Sequence, residues 1–175
     1  YGNNTFVAVG QTGRIVRSTD NASSWFNSNS GVSGTLYGVS FGNDIFVGVE
    51  QASGNSVVEI VRSENNGLTW TDQDSPYYSR RDLYGVSFGN NTFVGVGQSG
   101  KIIRSTDNGS SWDNVTSGNN YYPFGSGIFY GVSFGNNTFV AVGQSGKIIR
   151  SEDNGSSWDN VTSVDGTLLN GVSFG

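Results

Sequence analysis

The sequence predicts an all-β propeller with four four-stranded blades per chain, and three observations carry that expectation. One turn recurs in phase four times, at Ser18–Trp25, Ser63–Trp70, Ser105–Trp112 and Ser151–Trp158. The run Gly-Val-Ser-Phe-Gly recurs with it at Gly38–Gly42, Gly85–Gly89, Gly131–Gly135 and Gly171–Gly175, at spacings of 47, 46 and 40 residues. Between these landmarks nothing keeps the 3.6-residue apolar period of a helix, whereas short apolar runs bounded by Asn, Ser and Gly are frequent. A period in the forties holding several strand-like runs marks a radially repeated β-architecture, in which each blade buries both faces against its neighbours. A sandwich has no reason to repeat one turn four times.

Each repeat parses into four strands. In the copy near the C-terminus, strand A is Gly131-Val132-Ser133-Phe134. Strand B follows an Asn-Asn turn and reads Phe139–Val142, apolar on both sides of the pleat, so it is expected to be buried on both faces. Strand C is Lys147–Arg150, entered through Gln144-Ser145-Gly146, and strand D starts at Trp158 and runs to Thr162. The turns carry Asn-Asn, Ser-Gly and Asn-Gly, residues that tolerate positive φ in tight hairpins. Residues 85–117 and 131–163 differ at only two of 33 positions, Gly95 against Ala141 and Thr106 against Glu152. Duplication or design produces such likeness, and the irregular connecting loops favour a natural origin.

The repeats fill residues 1–175 without a linker, so a single domain is expected. The chain opens in phase with strand B and finishes on a lone strand A, Gly171–Phe174. The expectation is therefore a ring closed by Phe174 and its neighbours pairing beside the strand that starts at Phe6, which removes two open sheet edges. A closed four-bladed monomer is the preferred reading, and the same joint would serve an eight-bladed ring of two chains.

The recurring turn resembles the Asp-box, or BNR repeat, whose pattern Ser-x-Asp-x-Gly-x-Ser/Thr-Trp is met in full by Ser105, Asp107, Gly109, Ser111 and Trp112. It is met again by Ser151, Asp153, Gly155, Ser157 and Trp158. The first copy, with Ser18, Asp20 and Trp25, has Ala22 in place of Gly, and the second, with Ser63 and Trp70, has Asn65 in place of Asp. The resemblance covers essentially the whole chain. It implies a propeller of the kind seen in sialidases, sortilin-type receptors and photosystem II assembly factors, with the turn in a structural role. The Asp carboxylate is suited to accept hydrogen bonds from the turn's own amides while the Trp packs over the hairpin. Calcium is not expected there, although Asp-Asn-Gly resembles part of an EF-hand loop, because one carboxylate per turn cannot supply six or more oxygen ligands.

Composition narrows the function classes. The chain has no Cys, Met or His, 27 Gly, two Pro and a net charge of −5, with charged residues at 13%. Without Cys there are no disulfides or thiolate metal sites, and without His the commonest general base and metal ligand is missing, so neither a metal nor a cofactor is expected. Nine Lys and Arg scattered around the repeats do not make a nucleic-acid surface. No apolar run approaches the roughly 18 residues of a membrane span and no signal peptide is present, so no membrane insertion is expected. Lacking an initiator Met, the chain reads as a mature or excised segment. Its Asn/Ser/Thr/Gly-rich composition suits a secreted or surface-exposed bacterial protein.

Strand direction places the A–B turns and the Ser–Trp turns on one face and the B–C turns and D–A connections on the other. All the variation falls on the second face. One D–A connection carries Tyr77, Tyr78, Arg80 and Arg81, and another carries Tyr121, Tyr122, Pro123 and Phe124; aromatic and Arg side chains on adjacent loops are what a partner-binding surface uses. The reading is a non-catalytic binding or scaffolding module for a protein or glycan. A glycoside hydrolase related to sialidases, or a structural surface or filament subunit, are the alternatives. The enzyme would need converging arginines, a Tyr nucleophile with a Glu partner and an acidic general acid. Arg17, Arg62, Arg104 and Arg150 are instead equivalent by repeat, and Glu50 and Glu59 read as residues of a solvated loop. Eight Asn-x-Ser/Thr sequons, at Asn3, Asn21, Asn90, Asn108, Asn114, Asn136, Asn154 and Asn160, are mostly turn residues and are explained by turn chemistry.

Overall fold

The computed structural model describes residues 1–51, 60–76, 82–115, 127–161, 163 and 165–175. Apart from 3-10 turns at Gln98–Gly100 and Gln144–Gly146, its elements are strands, ordered as four antiparallel meanders. The first holds β1 (Phe6–Val9), β2 (Ile15–Ser18) and β3 (Phe26–Ser28). The second holds β4 (Leu36–Gly42), β5 (Ile45–Glu50), β6 (Ile60–Ser63) and β7 (Thr71–Gln73). The third holds β8 (Leu83–Gly89), β9 (Thr92–Gly97), β10 (Ile102–Ser105) and β11 (Asp113–Asn114). The fourth holds β12 (Phe129–Gly135), β13 (Thr138–Gly143), β14 (Ile148–Ser151) and β15 (Asp159–Val161). This is the β-propeller fold.

Strands apolar on both sides of the pleat end up between blades. Every residue of β5 and of β9 is buried. One apolar core, with Ile15, Leu36, Phe46, Val61 and Trp70, joins the first blade to the second. A second, around Val47, Val49, Leu83, Phe93 and Trp112, joins the second to the third. The last, around Val94, Val96, Phe129, Phe139 and Trp158, joins the third to the fourth. Glycine sets the spacing of the inner strands. A Cβ at Gly42 would lie 2.1 Å from the ring of Phe88, and one at Gly89 would lie 2.0 Å from that of Phe134. Phe88, Phe134 and Phe174 thus lie on the glycine that ends the preceding blade's inner strand, and Phe41 lies on Gly2 in the same way.

The Ser–Trp turns sit between the third and fourth strands of their blades and are held by one pattern of bonds. In the third blade the Ser105 hydroxyl donates to Asp107 Oδ1 at 2.7 Å and accepts from the Gly109 amide at 2.8 Å. Asp107 also accepts from the Ser111 amide at 2.9 Å and the Ser111 hydroxyl at 2.6 Å. Gly109, at φ +78°, is in the left-handed region, and its carbonyl accepts from Trp112 Nε1 at 3.2 Å. In the second turn Asn65 keeps the pattern of bonds. Its Oδ1 accepts from the Ser63 hydroxyl and the Thr69 amide, and its Nδ2 donates to Thr69 Oγ1 at 2.8 Å, so donor and acceptor have exchanged places. Ala22 does carry a cost, being a non-glycine residue at φ +65°.

Three expectations change. Strand D begins one residue after each Trp, because the indole caps the turn rather than entering the ladder. The first sheet has three strands, and the joint between Gly171–Phe174 and the strand starting at Phe6 is not among the strand pairings of the described residues. Tyr1 occupies that place. Its ring stands 4.6 Å from Phe6, the distance that separates Phe88 from Phe93, and Phe174 lies instead over Gly135 of the fourth blade. Glu50 is not solvated: it closes β5 opposite Leu36 and is 1% exposed, while Glu59 lies outside the described residues.

Two outcomes follow from these turns. Trp112→Ala removes a ring that is 7% exposed and should cost about 3–5 kcal/mol by chemical denaturation, whereas Trp25→Ala, at 43% exposed, should cost far less. Although partial burial opposes it, hydrogen bonding from Ser111 and Ser105 holds Asp107 at about 2 against an ordinary 3.8. Its contribution is therefore complete above about pH 4 and is lost as the pH falls toward 2. Asp107→Asn, copying Asn65, should flatten the acid limb of a melting-temperature profile; an unchanged limb would refute the assignment.

Candidate functional site: a tyrosine ladder on the loop face

Each inner strand contains one extra residue. Leu36 faces Glu50 while Gly38 faces Val49, so Tyr37 has no partner of its own, and the same shift isolates Tyr84 between Leu83 and Gly85 and Tyr130 between Phe129 and Gly131. A β-bulge of this kind re-aims the side chain it carries. Here it lines up three tyrosines from three blades. The rings of Tyr37 and Tyr84 stand 5.0 Å apart edge to face, and those of Tyr84 and Tyr130 stand 5.5 Å apart. Tyr37 is 44% exposed, so the ladder is open to solvent.

The ladder sits at the roots of the variable connections. The Tyr84 hydroxyl donates to Asp82 Oδ2 at 3.2 Å and the Tyr37 hydroxyl donates to Gln51 Oε1 at 3.2 Å. The D–A roots are tied to the B–C turns by backbone bonds from Gln98 to Asp82, from Gly100 to Gly127 and from Gln144 to Ile128. Beneath them Lys101 is buried, its ammonium donating to Ser75 Oγ at 3.4 Å. Burial first, and then the charge of Asp82, push the Tyr84 phenol up to about 12. It stays a neutral donor at any physiological pH.

The opposite face is closed by its own side chains. Asn43 Nδ2 donates to Asn91 and Asn108, Asn90 Nδ2 donates to Asn137 and Asn154, and Asn3 Nδ2 donates to Asp44 and Asn66. Each bond pair ties an A–B turn to the next blade's A–B and Ser–Trp turns, which accounts for several of the sequon asparagines. Two of the repeated arginines, Arg62 and Arg104, are struts between blades, whereas Arg150 pairs with Glu152 of its own blade. Arg62 Nε donates to the Asn108 carbonyl at 2.6 Å and Arg104 donates to the Ser156 hydroxyl, each reaching the following blade's turn. They do not converge. Among the described residues no group of three or more acidic side chains could hold a metal ion.

Tyr77, Tyr78, Arg80, Arg81, Tyr121, Tyr122 and Phe124 lie outside the described residues; Pro76 and Asp82, and Val115 and Gly127, mark the two connections that carry them. The turn residues Ser18, Asp20, Ser63, Trp70, Ser105, Asp107, Gly109, Trp112, Ser151, Asp153, Gly155 and Trp158 stand where the repeat puts them. The ladder itself was missed by sequence reasoning. Its signal was present, because Tyr precedes the Gly-Val-Ser-Phe-Gly run in three copies and Asn170 stands there in the fourth.

No protein-family model matches the chain, and no curated protein sequence does. Solved structures do. A structure of YCF48 bound to a D1 peptide is similar at 20% identity and a TM-score of 0.61, over 91% of this chain and 50% of that one. YCF48 from Cyanidioschyzon merolae is similar at 18% identity and a TM-score of 0.66, over 98% of this chain and 56% of that one. A chain of a nidogen/laminin complex is similar at 14% identity and a TM-score of 0.70, over 98% of this chain and 66% of that one. These likenesses establish the propeller fold, and the chain spans about half the length of the YCF48 chains it matches.

Asp82→Asn should lower the Tyr84 pKa from about 12 yet leave it above the ordinary 10.0, because the larger cause, burial, remains. Alkaline titration of phenolate absorbance, with Tyr84→Phe to assign the signal, measures it; no shift would mean that the Asp82 charge is not felt.

Proposed function

We propose that the chain is a non-catalytic propeller module that engages a protein partner through the face bearing the B–C turns and D–A connections. The tyrosine ladder carries this reading. Bulges in three successive inner strands put aromatic rings in contact on that face, and tyrosine combines large contact area with a polar tip, the chemistry of interface anchors. The other face spends its polar groups on its own amide ladder. Solved propellers of similar fold are seen with a bound peptide and in a protein complex, which supports a peptide or protein over a glycan as the ligand.

The Ser–Trp turns are read as Asp-boxes with a structural role, and the chain as a secreted or surface-exposed bacterial protein. Against a sialidase-like hydrolase stands the use of Arg62 and Arg104 as interblade struts, which leaves them no freedom to bind a substrate carboxylate together. A displayed random-peptide library panned on the immobilised chain tests the proposal. Enriched peptides should lose affinity by about 1–4 kcal/mol per residue, without additivity, on Tyr37→Ala, Tyr84→Ala, Tyr78→Ala, Arg81→Ala or Tyr122→Ala. Asn43→Ala on the opposite face should leave affinity unchanged. Turnover of a fluorogenic sialoside, or peptides whose binding follows Asn43 rather than the tyrosines, would overturn it.

A further inference from the structure

The chain contains no Cys, Met or His, so the side chains it offers to a one-electron oxidant are its eight tyrosines and four tryptophans. Three of the indoles, Trp70, Trp112 and Trp158, are buried in the interblade cores. Among the described residues, the ladder on the loop face is where tyrosines from separate blades touch. Tyr84 stands 5.0 Å from Tyr37 and 5.5 Å from Tyr130, and Tyr37 is 44% exposed. Rings in contact pass an electron hole between them, whichever of them an oxidant meets.

The hydroxyls of the ladder are not equivalent. A phenol that loses an electron becomes a strong acid, so the hole settles on the ring whose proton has a base waiting for it. Tyr84 has one, since its hydroxyl donates to the Asp82 carboxylate at 3.2 Å. The Tyr37 hydroxyl donates at 3.2 Å to Gln51 Oε1, a neutral amide that is no base, but its exposure gives the proton a path to water. The two rings meet at 63°, with the edge of one against the other, and the exposure of Tyr37 leaves it room to turn an ortho carbon toward that of Tyr84.

We propose that Tyr37 and Tyr84 form an oxidative cross-linking site, at which two equivalents of a diffusible one-electron oxidant convert the pair into dityrosine and so staple the second blade to the third. The first equivalent takes one electron from the ladder; the hole settles on Tyr84, and its phenolic proton passes to Asp82. The second takes an electron from Tyr37, whose proton goes to water. The two phenoxyl radicals then join through a bond between ortho carbons, and the hydrogen on each of those carbons moves to its own ring's oxygen, restoring both phenols. Two electrons have gone to the oxidant and two protons have left, for one carbon–carbon bond. Tyr130 shares the hole but stands farther from Tyr84 than Tyr37 does. Coupling needs no peptide on this face.

Tris(bipyridyl)ruthenium(III), generated by light and persulfate in a solution of the 175-residue chain, supplies the oxidant, and trypsin reads the product. Cleavage after Arg17, Arg62, Arg81 and Lys101 leaves Tyr37 as the sole tyrosine of residues 18–62 and Tyr84 as that of residues 82–101. These two peptides should be recovered joined, lighter than their sum by two hydrogens, with dityrosine fluorescence and in a yield per chain that does not fall on dilution. Tyr84→Phe should abolish this product and Tyr130→Phe should spare it. Asp82→Asn should slow its formation about tenfold, the weight of one charge-assisted hydrogen bond. Linkage of residues 82–101 to residues 63–80 or 105–147 in its place, dityrosine formed only between chains, or indifference to Asp82→Asn would each overturn the proposal.

Discussion

Everything in this fold depends on a phenylalanine ring lying against a backbone that has no side chain. A Cβ on Gly42, Gly89 or Gly135 would meet the ring of Phe88, Phe134 or Phe174 at about 2 Å, far inside contact distance. The same rings pack on Phe93 and Phe139 of their own blades at 4.6 and 4.7 Å, so each locks a hairpin and a junction together. The interblade cores, the arginine struts and the amide ladder all require the spacing those rings impose. A blade alone would bury one face of its sheet and leave the other wet, which explains why β1 stays half-exposed while β5 and β9 are fully buried.

The repeat made the architecture legible. Gly-Val-Ser-Phe-Gly and the Ser–Trp turn gave blade count, strand order and the two faces, because their chemistry is local and each copy confirms the others. What could not be read was anything depending on how one blade meets the next. Tyr37, Tyr84 and Tyr130 look like ordinary strand residues until a one-residue register shift turns them to one side. Arg62 and Arg104 look like surface charges until the following turn is placed beside them. Glu50 looked solvated because it borders an expanded loop, yet its register opposite Leu36 carries it inward. Tyr1 stands against Phe6 as Phe88 stands against Phe93, a pairing that shows only once the hairpin is folded.

The turns show how much substitution the architecture absorbs. Asn65 with Thr69 keeps the geometry that Asp107 makes with Ser111, at the expense of a charge and without losing a bond. Ala22 keeps the chain path at a backbone angle that favours glycine, in the one copy whose tryptophan is exposed. Variation is thus tolerated where a second residue compensates or a junction is open, and not at the ring-on-glycine contacts.

The bond from glycine amide to serine hydroxyl has a consequence for the lifetime of the molecule. Asn66-Gly67, Asn108-Gly109 and Asn154-Gly155 are, with Asn170-Gly171 outside these turns, the chain's Asn-Gly dipeptides, the pair most prone to cyclise through attack of the glycine nitrogen on the asparagine carboxamide, which expels ammonia and leaves a succinimide that water opens to aspartate or its isomer. In the turns that nitrogen is engaged as a donor to Ser63, Ser105 or Ser151 at 2.8–3.0 Å, and the backbone is fixed in the left-handed region, away from the geometry of ring closure. A hydroxyl that shapes a turn also shields it from chemical ageing, so a protein this rich in asparagine can carry its most fragile sequence at the points where its blades join.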